Sequence, residues 1–167
     1  MPNYQQDMKI TEPQALKRMA AYCSRAERCE YDVRKKLVAL ELTDEEIKRI
    51  LDRLKKEKFL SDERFCHSFI NDKARFNKWG ETKIRYELKK RNIPDSVFMP
   101  ILQELSGDMF ETQLQHILKV KVKSVKAKSE YDKRNKLIRF ALGRGFPMDM
   151  VVRNVNKLLG NDGEDYI

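Results

Sequence analysis

Residues 59–105 read FLSDERFCHSFINDKARFNKWGETKIRYELKKRNIPDSVFMPILQEL. Apolar residues recur there at helical spacing after Ser61 and Asp62, whose side chains can accept hydrogen bonds from the free amides of a first helical turn. Gly80 interrupts the pattern, a second short amphipathic segment follows it, and Pro94 can begin a third. The stretch therefore predicts three short helices in succession.

The pattern E-x-x-x-R-x-x-L begins the second of these helices and occurs three times in the chain. Its copies start at Glu30, Glu81 and Glu130, which are 51 and 49 residues apart, and another apolar helix follows each copy after a breaker. Taken singly, a Glu and an Arg four residues apart form a surface ion pair worth roughly 0.2–0.5 kcal/mol. Their joint spacing with the flanking apolar positions indicates an internal repeat of one three-helix unit.

With these features the chain resembles the RecX family of bacterial regulatory proteins, which are modulators of the RecA recombinase. The resemblance is carried by the triplicated unit, by the junction FLSDERFCHSF and by the segment KWGETKIRYELKKRNI, and it extends from about Ala15 to Leu159. Lys58 and Asn92 stand where that family often has Gly, and Cys66 where it often has Ala. These departures bear on the local turn geometry and not on the family resemblance.

Helical periodicity and the breakers predict an all-α fold of three tandem three-helix repeats. Because 37% of the residues are charged, which is well above the usual quarter, we expect an elongated, curved array with a high ratio of surface to core. The predicted divisions are a flexible N-terminal arm, three repeats and an acidic C-terminal tail, at residues 1–13, 14–60, 61–106, 107–160 and 161–167.

Local signals conflict at residues 118–126, where the sequence LKVKVKSVK alternates like a strand. Over a longer window six apolar residues from Phe110 to Val125 follow a spacing of about 3.6 residues, and only Val120 lies off that face. We therefore predict a helix with weak, Val-rich last turns.

Composition limits the partners and the compartment. The formal net charge of +9 favours a polyanionic partner. The longest apolar run, residues 19–23, is far shorter than the roughly 20 residues that span a bilayer, and the N-terminus lacks the apolar core of a secretory signal. Cys23, Cys29 and Cys66 have no CxxC spacing, so we expect buried reduced thiols in a cytoplasmic protein without a membrane partner.

Basic residues concentrate around the second helices of the middle and last repeats. Nine of them lie between Lys119 and Arg139 against two acids. If the repeats stack in one orientation, these residues would form one basic edge that follows a phosphate backbone, and the alternative is a solvated lysine face. The candidates for binding a filament or nucleic acid are Lys83, Arg85, Lys89, Lys90, Arg91, Lys119, Lys121, Lys123, Lys126, Lys128, Lys133, Arg134, Lys136 and Arg139.

Two aromatic residues, Phe76 and Trp79, flank Lys78, and aromatic side chains among basic residues can stack on single-stranded bases. We favour packing for both. Phe76 continues the apolar stripe of the first helix of the middle repeat, and Trp79 lies where two helices must be joined.

Groups for catalysis are sparse. His67 and His116 fall in different repeats, and no nucleophile with a nearby base, metal-ligand cluster or cofactor motif can be assembled. The resemblance implies a monomeric regulator, not an enzyme, that binds the RecA–DNA filament and inhibits the ATPase and strand-exchange activities of RecA in DNA repair, recombination and the SOS response. Single- or double-stranded DNA is a further partner that this role allows.

The alternative function is a basic helical DNA-binding protein that acts without RecA, because three-helix units can resemble helix-turn-helix domains. A base-reading helix should present Arg, Asn or Gln near its N-terminus. The predicted third helices start instead with TDEE, PDSV and PMDM, which favours the regulator.

Overall fold

The computed structural model describes residues 9–105 and 107–160. Regular structure within these ranges is entirely helical, which confirms the all-α fold of three tandem three-helix repeats. Residues 1–8 of the predicted arm and the predicted tail at 161–167 lie outside the described residues. The helices are α1 (Glu12–Arg25), α2 (Glu30–Ala39), α3 (Asp44–Lys56), α4 (Asp62–Arg75), α5 (Glu81–Lys90), α6 (Asp95–Glu104), α7 (Gly107–Val122), α8 (Glu130–Gly143) and α9 (Met148–Leu158).

The chain divides into two compact units, residues 1–68 and 69–167. The first contains α1, α2, α3 and the start of α4, and its core is the predicted apolar stripes, with Ile47, Ile50, Leu51 and Leu54 of α3 all buried. Burial of each such side chain stabilises the fold by roughly 1.5–3 kcal/mol. Among the described helices, none is long and apolar enough to cross a membrane.

Capping boxes begin two helices of the first unit. The box at α3 was predicted and is confirmed, because Thr43 Oγ1 accepts the Glu46 amide at 3.2 Å and Glu46 Oε1 accepts the Thr43 amide at 3.1 Å. Thr11 and Gln14 form a second box. It starts α1 at Glu12, within the segment predicted to be a flexible arm, so the predicted arm extends too far into the chain.

Helix α2 has no side-chain cap of its own, since its N-cap residue is Cys29. Asp62, the first residue of α4, supplies one: its Oδ1 accepts the Glu30 amide at 2.8 Å. Burial raises the pKa of Asp62, while the hydrogen bond from the Glu30 amide opposes that shift. Helix α4 has a separate cap, because Ser61 Oγ accepts the Arg64 amide at 3.2 Å. Asp62 is thus available to join α4 to α2.

The second unit caps α5 in a comparable way. Gly80, the N-cap residue of α5, has no side chain to contribute. The Gly80 amide donates instead to the Arg144 carbonyl oxygen at 2.8 Å, and the Thr82 amide donates to the Gly145 carbonyl oxygen at 3.0 Å. The start of α5 is therefore held by backbone carbonyls of the turn that follows α8.

This contact brings two glycines together. A Cβ on Gly80 would lie 2.2 Å from the Gly145 carbonyl oxygen, and a Cβ on Gly145 would lie 2.1 Å from the Cβ of Lys83. Gly145 also has a φ of +93°, which side chains rarely adopt. Gly80 is consequently required because no space remains for a side chain. Gly145 is required for the same reason and for its backbone conformation.

Turns with a left-handed residue end the second helices. Glu41, Asn92 and Gly145 have φ values of +61°, +56° and +93°, and Lys58 after α3 has +63°. Lys58 and Asn92 are the two positions where the family resemblance leads one to expect Gly, and their conformation explains that preference. A Lys in this region carries strain of roughly 1–2 kcal/mol that Gly would avoid.

Helix α8 is longer than its counterparts: it has 14 residues, whereas α2 and α5 have 10 each. All three begin at the Glu of the repeated motif, and in the first copy Arg34 pairs with Glu30 at 3.3 Å. Four additional residues make about one turn. The second helix of the third repeat therefore begins at the same motif position as in the other two repeats but ends about one turn later.

Two segments end earlier than the apolar pattern predicted. Helix α4 stops at Arg75, so Phe76 lies outside it and is 80% exposed, and the prediction that Phe76 packs in the core is wrong. Packing is confirmed for Trp79, whose ring meets the Phe69 ring edge-on with centroids 6.2 Å apart. Helix α7 confirms the helix prediction as far as Val122, beyond which Val125 lies outside regular structure.

One polar residue is buried where α7 meets α9. The Asn154 amide nitrogen donates to Glu111 Oε1 at 3.1 Å and to the Met150 carbonyl oxygen at 2.8 Å, and Asn154 Oδ1 accepts from Gln115 at 3.2 Å. The hydrogen bond from Asn154, together with one from Arg153, lowers the pKa of Glu111. These bonds satisfy the buried amide.

The contact between the two glycines predicts unequal effects of two Gly→Ala substitutions. Gly80→Ala should destabilise the second unit by about 1–3 kcal/mol, because the backbone that its Cβ meets cannot move cheaply. Gly143→Ala is the matched control: beyond the neighbouring residues and backbone of its own helix, no atom lies within 4 Å of its added Cβ, so this helical substitution should stabilise by about 0.5–1 kcal/mol. Denaturant unfolding followed by the fluorescence of Trp79, the single tryptophan, measures both. Equal effects would contradict the contact.

Candidate nucleic-acid interface

All fourteen candidate basic residues lie in the second unit. Five are on α5 or at its C-cap, within residues 83–91. The other nine, predicted to lie around the second helix of the last repeat, are distributed over three elements: Lys119 and Lys121 belong to α7, and Lys123, Lys126 and Lys128 to the connection between α7 and α8. The remainder are on α8.

Arg91 is less available than its sequence position suggested. Its guanidinium donates to Glu87 Oε2 at 3.1 Å and lies with its central carbon 5.3 Å from the centroid of the Phe69 ring. The side chains of this ion pair are only 25% and 22% exposed. Replacing Arg91 would therefore disturb the fold as well as the charge.

Two further cations of α5 are engaged locally. Lys83 Nζ lies 4.3 Å from the centroid of the Trp79 ring, a cation–π contact, and Lys89 Nζ lies 3.7 Å from Asp95 Oδ1. Lys90 is exposed. The α5 group thus contributes less free positive charge than a count of its residues indicates.

The connection after α7 presents Lys123, Lys126 and Lys128, all exposed. It is tethered to α8, because Lys136 Nζ donates to the Lys126 carbonyl oxygen at 2.6 Å and lies 3.2 Å from Asp132 Oδ2. The Lys128 amide also donates to Asp132 Oδ2, at 3.0 Å, and that bond together with Lys136 lowers the pKa of Asp132. Three ammonium groups are therefore displayed on a segment with a defined attachment.

The other members of this basic group differ in exposure. Arg134 is half-buried and donates to Asn156 Oδ1 on α9 at 2.9 Å, so it serves helix packing. Lys133 is also half-buried, whereas Lys119 and Arg139 are exposed. Within this group the exposed cations are therefore the lysines of the connection, Lys119 and Arg139.

A groove of about 440 Å³ lies beside this surface. The turn after α4, the last turns of α7 and the end of α8 form its walls. Lys121 Nζ and the guanidinium carbon of Arg144 lie 5.1 and 5.5 Å from the centroid of the Phe140 ring. We call it the Phe76 groove, and the lining residues that matter to its chemistry are Phe76, Lys78, Val120, Lys121, Phe140 and Arg144.

The groove was not predicted from the sequence, although one signal was present. Phe76 and Trp79 flank Lys78, and aromatic residues beside a basic residue are typical of single-stranded nucleic-acid binding. Core packing was nevertheless the preferred prediction for both aromatic residues. Phe140 and Arg144 were not connected with that segment, since they come from a different repeat.

The cysteine and histidine side chains of the described residues are not arranged for catalysis or metal binding. The three cysteines are free and buried, and burial was expected. Burial raises the pKa of Cys29 and of Cys66 to about 12 and also raises that of Cys23, so these thiols stay protonated at neutral pH. His67 and His116 are exposed. Across residues 9–105 and 107–160, no group of three or more His, Cys, Asp or Glu side chains is placed to hold a metal ion.

The fold and this surface define a class of protein, a tandem three-helix repeat protein with a cationic face. Residues 61–97 match the family model of the second three-helix domain of RecX, and residues 111–153 match that of the third. The chain belongs to the RecX family.

Individual relatives agree with that assignment. A protein named regulatory protein RecX from Prosthecochloris aestuarii is 31% identical over 88% of this chain and 95% of its own length. One of the same name from Clostridium tetani is 34% identical over 83% of this chain, which spans 63% of that relative. A crystal structure of regulatory protein RecX, 19% identical, shares the fold with a TM-score of 0.78 over 90% of this chain and 73% of its own.

Proposed function

We propose that this chain binds the RecA–DNA filament and inhibits the ATPase and strand-exchange activities of RecA, as a monomeric cytoplasmic regulator and not as an enzyme. Membership of the RecX family supports the proposal, and so does the name of its relatives, regulatory proteins. The formal net charge of +9 suits a partner that contains nucleic acid.

The observation that carries the proposal is the exposed connection with Lys123, Lys126 and Lys128. A filament displays closely spaced phosphates, and each phosphate that a lysine neutralises releases condensed counterions. The bond from Lys136 to the Lys126 carbonyl oxygen limits the freedom of the connection before binding. Less conformational entropy is then lost on association.

The second candidate, a DNA-binding protein that acts without RecA, draws on the same basic surface. The third helices that would read bases carry Asp44, Asp95 and Asp149 in their first turns. These carboxylates suit the positive end of a helix dipole and oppose the approach of phosphates. The geometry therefore supports phosphate contact without base reading, which fits a filament regulator better than a sequence-specific DNA-binding protein.

The connection lysines should determine the salt dependence of DNA binding. Replacing Lys123, Lys126 and Lys128 by Gln should weaken binding to a labelled DNA duplex and flatten the plot of log affinity against log salt, by about 0.9 for each phosphate that is no longer neutralised. Fluorescence anisotropy over a range of salt concentrations measures both quantities.

A triple variant of the first unit is the matched control for this experiment. Lys17, Lys48 and Lys56 are also exposed, and replacing them by Gln lowers the net charge by the same three units. This control should keep most of the affinity and the original slope. If the two triple variants behave alike, only the net charge matters and the assigned surface is wrong.

Strand exchange tests the function itself. Added to RecA filaments on single-stranded DNA, the protein should slow both RecA-catalysed strand exchange and ATP hydrolysis, and the connection triple variant should be a weaker inhibitor than the Lys17, Lys48 and Lys56 control. Unchanged rates in the presence of excess wild-type protein would refute the proposal, and faster rates would refute its inhibitory direction.

A further inference from the structure

Phe76 is 80% exposed and lines the Phe76 groove. Its position is set by the turn after α4, since the Phe76 and Asn77 amides both donate to the Asp72 carbonyl oxygen, at 2.9 and 3.2 Å. Arg144 adds a bond from its guanidinium to the Asn77 carbonyl oxygen at 3.4 Å. The ring is thus displayed from a bonded turn and not from a loose loop.

Positive charge lines the groove together with this ring. Lys78, Lys121 and Arg144 line the groove, and none of the described residues that line it is a carboxylate. Lys121 and Arg144 make cation–π contacts with the neighbouring Phe140 ring, which is itself half-buried. Phe76 is consequently the aromatic surface of the groove that is open to a ligand.

An open aromatic ring among cations matches the chemistry of an unpaired nucleotide. The base has a flat face that can stack on the ring, and the phosphates on either side of it need positive partners. A paired base in a duplex is already stacked between its neighbours and cannot present that face. The connection lysines extend the positive surface beyond the last turn of α7, where Lys121 lies.

We propose that the Phe76 groove binds single-stranded nucleic acid, with one base stacked on Phe76 and the adjoining phosphates contacted by Lys78, Lys121 and Arg144. This inference rests on the proposed function and deepens it, because it names the part of a nucleoprotein filament that this surface contacts. An acidic peptide with an apolar anchor is the competing occupant, and the test separates the two.

The test compares the affinities of four proteins for a labelled single-stranded oligonucleotide: the wild type, Phe76→Ala, Phe76→Leu and Phe76→Trp. Phe76→Ala should bind about tenfold more weakly, which corresponds to about 1.4 kcal/mol and lies within the range of base–aromatic stacking. Phe76→Leu, which keeps apolar area and loses the aromatic face, should bind as weakly as Phe76→Ala. Phe76→Trp should bind at least as tightly as the wild type.

Tyr86→Ala is the matched control, because Tyr86 is an aromatic residue of the same unit, 64% exposed and outside the groove. Its affinity should equal that of the wild type. The slope of log affinity against log salt should not change in Phe76→Ala, whereas Lys121→Gln should flatten it by about 0.7, the value for one phosphate of a single strand.

Three results would overturn the inference. The first is full affinity in Phe76→Leu, which would indicate apolar docking of a peptide. The second is equal losses in Phe76→Ala and Tyr86→Ala. The third is unchanged oligonucleotide binding in Phe76→Ala together with weaker inhibition of strand exchange, which would assign the groove to the recombinase and leave the proposed function intact. Failure of the proposed function is recognised separately, by a wild-type protein that leaves strand exchange unchanged.

Discussion

Backbone amides in the first turn of a helix have no hydrogen-bond partner within that helix. The rest of this structure depends on how α2 and α5, the second helices of the first two repeats, satisfy these amides. Asp62 accepts the first amide of α2, and the carbonyl oxygens of Arg144 and Gly145 accept amides at the start of α5. Helix α8 relies on a local cap, since Ser129 Oγ accepts the Asp132 amide at 3.1 Å. Each borrowed cap ties a second helix to the chain of the following repeat.

The cap on α5 also builds the candidate site. Arg144 accepts the Gly80 amide through its carbonyl oxygen, while its guanidinium lies over Phe140 and donates to the carbonyl oxygen of Asn77. The turn after α4 is thereby held against the end of α8, with Phe76 left outside the core. An exposed Phe forgoes the roughly 1.5–3 kcal/mol that its burial would supply. Fold stability therefore does not explain its position, whereas the proposed stacking of a base on this ring would.

Local features were predictable from the sequence, and features that depend on distant contacts were not. The helices, their apolar faces and the capping box of Thr43 follow from spacing within one or two turns. The exposure of Phe76 depends on where α4 ends and on the turn that follows, whose Asn77 carbonyl oxygen accepts a hydrogen bond from Arg144 of the last repeat. The engagement of Arg91 with Phe69 likewise joins two helices. The groove combines the turn after α4, the last turns of α7 and the end of α8. Hydrophobic periodicity within each segment does not indicate that the three segments meet.

Amide hydrogen exchange, measured by NMR on the wild-type chain, tests the borrowed caps most directly. The amides of Glu30 and Thr82 lie in first turns, where exchange is ordinarily fast, but both should be protected because they are bonded to Asp62 and Gly145. The amides at residues 44 and 45, in the exposed first turn of α3, provide the reference. Exchange at Glu30 and Thr82 as fast as at those two positions would show that Asp62 and Gly145 do not hold these amides.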